Sequence, residues 1–242
     1  MTTKVHASVT HPARGPSPGA ERAASSPRGT PCGPLAGGEA RSPRQERGAR
    51  RVCAILDAAA ALVAELGADA LTVQALAERA RTSKGSLYHF FPDLPSVLRA
   101  LAERHAVAIG DITRALAADP AVDWRALDAR DAVRRFLTPL AYLDTHPDLL
   151  ALARTYLAGD DRTRRLAPLC ELAEHLLARR YPWLSSHERF VRASTMVALL
   201  DGVVSYTLRS ERLARREMVV QLERVLEGYL LAIEAAGVAP PA

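Results

Sequence analysis

The chain has 242 residues, is 48% hydrophobic and carries a net charge of +5, a length that suits a small domain beside a larger one. No run of about 18 apolar residues occurs and the first residues form no apolar signal core, which excludes a membrane-spanning helix and export and predicts a cytoplasmic location. The three cysteines, Cys32, Cys53 and Cys170, are far apart in sequence and form no C-x-x-C or His-Cys pair of metal-ligand spacing, so neither a metal nor another cofactor is expected.

The first 50 residues hold seven of the sixteen prolines, seven of the fourteen glycines, and eight basic against three acidic groups. Their local charge of +5 equals that of the whole chain, so residues 51–242 are neutral overall. This composition, without apolar periodicity, predicts a disordered basic tail over 1–46. The tail reads as a solvated extension, as the product of a translation start set too early, or as an arm adding sequence-independent phosphate contacts. Arg47, Arg50 and Arg51 are the best placed for such contacts, at the start of the first helix.

That helix carries Ile55, Ala59, Leu62, Val63 and Leu66 on one face and ends at Gly67, a natural residue just past a helix C-terminus. Thr72 is the expected N-cap of a second helix, with Val73, Leu76, Ala77 and Ala80 at the i, i+3, i+4, i+7 spacing of one buried face. After Arg81 and Thr82, Ser83 caps a third helix. Its Gly85 is a poor helix former, costing roughly 1 kcal/mol relative to Ala, and close approach to a phosphate or base edge would explain it. Lys84 and Ser86 point outward and Leu87 inward. Two short helices joined by a tight turn suit a DNA groove, the second lying in the major groove.

Taken as an ordered set, Ile55-Leu56-Asp57-Ala58-Ala59, Leu71-Thr72-Val73, Leu76-Ala77 and Ser83-Lys84-Gly85-Ser86-Leu87-Tyr88-His89-Phe90-Phe91 resemble the TetR family of bacterial transcriptional regulators over roughly residues 47–100. The resemblance implies an all-α homodimer. A helix-turn-helix DNA-binding domain, 47–93, would sit on double-stranded operator DNA, and a larger helical bundle, 94–237, would serve ligand binding and dimerisation, with a short tail at 238–242. It implies that Thr72 holds a phosphate, that Thr82, Ser83, Lys84 and Ser86 face bases or nearby phosphates, and that Tyr88 and His89 clamp the backbone. Phe91 would be core. One departure is that Pro92 and Leu94 stand where family members often carry lysines. The backbone anchor there falls to the amides of the next helix, capped by Asp93.

Beyond Asp93 the pattern is helical. A segment from about Leu94 to Leu116 is long enough to reach from the reader into the larger domain. Asp119-Pro120 ends it, and Asp128 or Ala129 opens a helix carrying Val133, Phe136, Leu137, Leu140 and Leu143. His146-Pro147 opens a short helix closed by Gly159. Three more helices are expected near Asp160–Tyr181, Ser186–Arg209 and Arg215–Ala236, with Gly237 closing the last.

The resemblance implies that the last two helices pair with their copies. The candidate interface is Val197, Leu200, Val204, Leu222, Val225, Leu226 and Tyr229, with burial inside one subunit as the alternative. Candidate ligand contacts are the polar or aromatic groups that interrupt apolar faces, His105, Tyr142, Tyr156, His175, Met196 and Tyr206, each weighed against a satisfied core or surface position. Low aromatic content favours a hydrophobic inducer. Glu171, Glu174 and His175 form no H-E-x-x-H motif and no glycine-rich phosphate loop occurs, so the chain is read as a non-enzyme. The function expected is a sequence-specific transcriptional regulator, a homodimeric repressor released from a palindromic operator by a small-molecule inducer. The alternative is a ligand-independent architectural or chromosome-associated factor acting through protein partners.

Overall fold

Helices account for all the regular structure among the described residues, with no strand; the computed structural model describes residues 43–155, 162–209 and 215–238. Helix α1 spans Pro43–Leu66. It starts inside the stretch read as tail, and Pro43 fits there because the missing N–H at a first helical position has no intrahelical partner in any case. Residues 1–42 lie outside the described residues. Gly67 ends α1 with φ of 87°, and its N–H returns to the Val63 carbonyl at 2.9 Å.

Helices α2 (Val73–Arg79) and α3 (Lys84–Phe90) are seven residues each. Helices this short do not persist alone, and two devices hold them. The Thr72 hydroxyl accepts from the Ala75 amide at 3.2 Å and the Ser83 hydroxyl from the Ser86 amide at 3.1 Å, so each first turn is capped. Leu76 and Leu87, both 0% exposed, then enter one core with Ile55 and Val63 of α1. Between the helices Arg81 turns the chain with φ of 51°, a left-handed conformation that costs a non-glycine residue roughly 1 kcal/mol or more.

Helix α4, Leu94–Ala118, is opened by a capping box in which the Ser96 amide donates to Asp93 at 2.7 Å. Its 25 residues extend about 37 Å at 1.5 Å per residue. Helix α5 is Ala129–Phe136. The single helix expected to run on through Leu143 is broken at Pro139: a 3-10 turn at Thr138–Leu140 leads into α6, Ala141–Thr145. Proline has no N–H to continue an α-helical ladder. Then come α7 (Pro147–Thr155), α8 (Arg162–Arg180), α9 (Ser186–Arg209) and α10 (Arg215–Val238), the last running through Gly237 rather than stopping at it.

Two cores result. The bundle core joins Phe136, Leu172, Leu176, Leu177, Met196, Leu226 and Leu230, none more than 1% exposed. Tyr181, also 1% exposed, donates its hydroxyl to the Leu230 carbonyl at 3.2 Å, while Arg180 spans to Glu234 at 2.6 Å. The reader core gathers α1 to α3 with Val97, Leu98 and Leu101 of α4, and also Leu152 of α7 at 0% exposure. Helix α7 packs on α1. The boundary at 93 and 94 is therefore a boundary in sequence but not in packing.

Candidate DNA-reading face and ligand cavity

Leu87 points into the reader core, and this fixes the rotation of α3. It leaves Lys84 and Gly85 exposed, Ser86 half-buried, and Tyr88 and His89 exposed. Tyr88 keeps 51% of its surface, while His89 meets Phe90 edge to face at 5.0 Å. Space around Gly85 is open, with nothing within 4 Å of where a Cβ would stand. Among the described residues no neighbour demands this glycine, although helix propensity argues against it. Phe91 is core at 7% exposure.

Thr72 is exposed at the start of α2. Its oxygen is occupied by the cap and its hydroxyl proton remains a donor. Arg50 and Arg51 lie exposed on α1. Arg51 does more than the sequence suggests: its Nη1 reaches Thr82 Oγ1 at 3.3 Å and Ser86 Oγ at 3.5 Å. A guanidinium thus stands over the first turn of α3. No local pattern could have signalled this contact between residues more than thirty positions apart. At the other end of the domain Arg79 donates twice to Glu65, at 2.9 and 2.7 Å, tying α2 to α1.

Within the bundle, α4, α6, α7, α8 and α9, with the 3-10 turn at Thr138–Leu140, line a partly open, largely apolar cavity of about 150 Å³. Ala102, His105, Ala106 and Ile109 face it from α4, and Leu149 and Ala153 from α7. The wall contributed by α8 and α9 adds Arg165, Asp201 and Ser205 to otherwise aliphatic groups. His105 is 1% exposed. Its Nε2 lies 2.8 Å from Asp148 Oδ2 and its Nδ1 3.0 Å from the Tyr142 hydroxyl. An ionised carboxylate only accepts, so Nε2 carries the shared proton, while the hydroxyl can serve either state of Nδ1. Burial alone would raise the Asp148 carboxyl; the interactions with His105, joined by a backbone hydrogen bond and by His146, together outweigh it and leave the group below its ordinary range.

The six ligand candidates separate. His105 lines the cavity, and Tyr142 stands behind it, stacked on His146 with ring centroids 3.7 Å apart. Met196 is fully buried in the bundle core, and Tyr206 is 60% exposed on the outside of α9. Neither reaches the cavity. His175 sits instead on a separate groove beside Trp124, their rings 6.5 Å apart. Tyr156 lies outside the described residues. The reading of the sequence missed Arg165, Asp201 and Ser205, which sit on helices without any motif to set them apart.

The interface candidates also separate. Val197, Leu200, Leu222 and Leu226 are at most 3% exposed within one subunit, so they offer no surface to a second copy. Leu200 and Val204 face the cavity, and Tyr229 is half-buried against the bundle core. Val225 is 54% exposed. Leu199 and Tyr206 on α9, at 37% and 60%, are exposed large side chains outside the expected interface set. With Gly202 between them they share one helix face, as Val225 does with Gly228, and both glycines have open space where a Cβ would be.

Residues 55–101 match the family model described as "Bacterial regulatory proteins, tetR family". Among solved structures, a TetR-family transcriptional regulator from Mesorhizobium loti is 20% identical, covering 77% of this chain and 98% of its own, with a TM-score of 0.58. A TetR-family regulator from Streptomyces coelicolor is 28% identical over 77% of this chain and 99% of its own, with a TM-score of 0.54. The fatty acid degradation regulator FadR from Bacillus halodurans shares the fold at 18% identity and a TM-score of 0.55, covering 78% and 97%. Comparison with curated proteins finds no match. The match to the family model is confined to residues 55–101, and the described residues share the fold of these solved TetR-family regulators. Among the described residues no helix is long and apolar enough to cross a membrane.

Proposed function

We propose that this protein is a homodimeric, sequence-specific DNA-binding repressor, released from a palindromic operator by a small molecule, with no catalytic activity of its own. The observation that carries the reading is α3, a capped helix fixed by Leu87 whose outer side offers Lys84, Gly85, Tyr88 and His89 to solvent. In this reading Lys84 and Ser86 address base edges, and Gly85 lets the backbone come close. Thr72, Thr82, Ser83, Tyr88 and His89 hold phosphates, and Arg50 and Arg51 add positive charge.

Dimerisation rests on the exposed stripes of α9 and α10. Apolar groups such as Leu199, Tyr206 and Val225 beside open glycines suit close helix packing, and an isologous contact places two readers on a palindrome. Release rests on the cavity, whose walls α4 and α7 both continue into the reader core. A ligand preferring one arrangement of these helices shifts the population of reader spacings. This favours the ligand-responsive reading over a ligand-independent architectural factor.

The test uses a duplex that the protein itself selects from a random pool. Lys84→Ala should cost about 1 to 3 kcal/mol and relax preference at one base position, whereas Tyr88→Phe should weaken all sequences alike. Anisotropy at fixed salt measures both, and unchanged binding by both variants would contradict the assignment of α3.

A further inference from the structure

Resting on the reading of the cavity as the regulatory site, we infer its ligand class and its route to the reader: the ligand is an uncharged, largely apolar molecule of at least the size of benzene, and the His105–Asp148 pair is the latch that carries its presence to the DNA-reading domain. The volume of about 150 Å³ is room enough for benzene, which an apolar protein cavity of about 150 Å³ takes, and because the cavity is partly open this sets the least size of the ligand rather than its limit. The chemistry follows from the lining. His105 has both ring nitrogens engaged, by Asp148 and Tyr142, so it presents only its ring to the cavity. Arg165 and Asp201 contribute one charge of each sign to the lining, which gives an ionic ligand no net opposite charge to offset its desolvation.

The route follows from helix geometry. On α4 the inward stripe runs without a break from Val97, Leu98 and Leu101 in the reader core to Ala102, His105 and Ala106 on the cavity. On α7, Leu149 and Ala153 face the cavity while Leu152, between them, is fully buried in the reader core. Displacing Leu149 therefore displaces Leu152. The polar link between the two helices is the His105–Asp148 pair, its members 1% and 5% exposed. Next to it Arg104 pairs with Asp57 of α1 at 2.5 Å. Successive residues of α4 thus grip α7 and α1, and a buried pair of this kind is costly to leave half-made.

The test uses the full-length protein with benzene as the probe, read by thermal melting and by amide hydrogen exchange. Benzene should raise the melting temperature of the wild type and change exchange in α7 and in residues 55–63 of α1. Ala106→Leu, which fills the cavity, should abolish both effects. Asp148→Asn should still bind benzene but lose the response of α1. If Asp148→Asn does not fold, Tyr142→Phe replaces it and should reduce that response. Absence of benzene binding to the wild type would overturn the ligand class. Binding that leaves α1 unchanged, or an α1 response undiminished in the latch variant, would overturn the latch. DNA binding without benzene is measured alongside, and its loss would strike the DNA-reading function while leaving these outcomes readable.

Discussion

The reader and the bundle leave opposite kinds of surface uncovered. In the reader, the side chains left out of the core on α3 are Lys84, Tyr88 and His89, held by caps and by one leucine on a helix of seven residues. In the bundle, α9 and α10 are 24 residues each and bury an extensive stripe, yet still expose Leu199, Tyr206 and Val225. Polar and basic exposure fits a hydrated polyanion, and apolar exposure fits another protein surface. In the proposed function these two surfaces meet two partners, DNA on α3 and a second copy on α9 and α10.

The sharpest way to break this comparison is to place a charge at two adjacent positions of α10. Leu226 is 0% exposed and Val225 is 54% exposed. Leu226→Arg should cost several kcal/mol by burying an unpaired charge and unfold or aggregate the protein. Val225→Arg should give a folded monomer that loses affinity for a full palindrome far more than for a half-site, because the linked second reader no longer contributes. Sedimentation with circular dichroism separates these outcomes, and a folded, dimeric Val225→Arg would move the interface elsewhere.

Gly85→Ala sets stability against function within the reader. Open space at Gly85 means that alanine should stabilise α3 by roughly 1 kcal/mol. If the glycine serves close approach to DNA, affinity should fall in the same variant. Melting and anisotropy check the two effects, and a gain in stability with unchanged affinity would remove Gly85 from the contact surface. Arg81→Gly should relieve the left-handed turn at φ 51°, a net gain of roughly 0.5 to 1 kcal/mol after the extra freedom glycine gives the unfolded chain. Chemical denaturation measures it.

The smallest expected effect is the pH dependence due to Asp148. Its folded-state pKa is lowered, so its contribution is present above the unfolded value of about 3.9 and is lost as pH falls through the lower folded value. Melts at pH 6 and pH 3 should therefore differ less in Asp148→Asn than in the wild type.

What the sequence could disclose depended on range. The caps at Thr72, Ser83 and Asp93 were legible because each is made by a residue and an amide three positions on. The inward turn of Leu87 was legible for the same reason, since the period of a short helix settles its one buried face. The bundle was less so. An apolar period says that a face is buried but not by which chain, so Leu200 and Leu226 read like interface residues although their own subunit covers them. The contacts of His105 with Tyr142 and Asp148 cross 37 and 43 positions, and only the packing of α4 against α6 and α7 brings them together. Pro139 carried a legible signal, the missing N–H, that the apolar period around it obscured.

The most direct test of the central claim is selection of duplexes from a random pool by the full-length protein, followed by mass determination of the complex. A symmetric reader pair predicts an enriched palindrome with half-sites about 34 Å apart or a multiple of that spacing, bound by an even number of chains. Enrichment of no sequence, or of a single asymmetric site bound by one chain, would contradict the account.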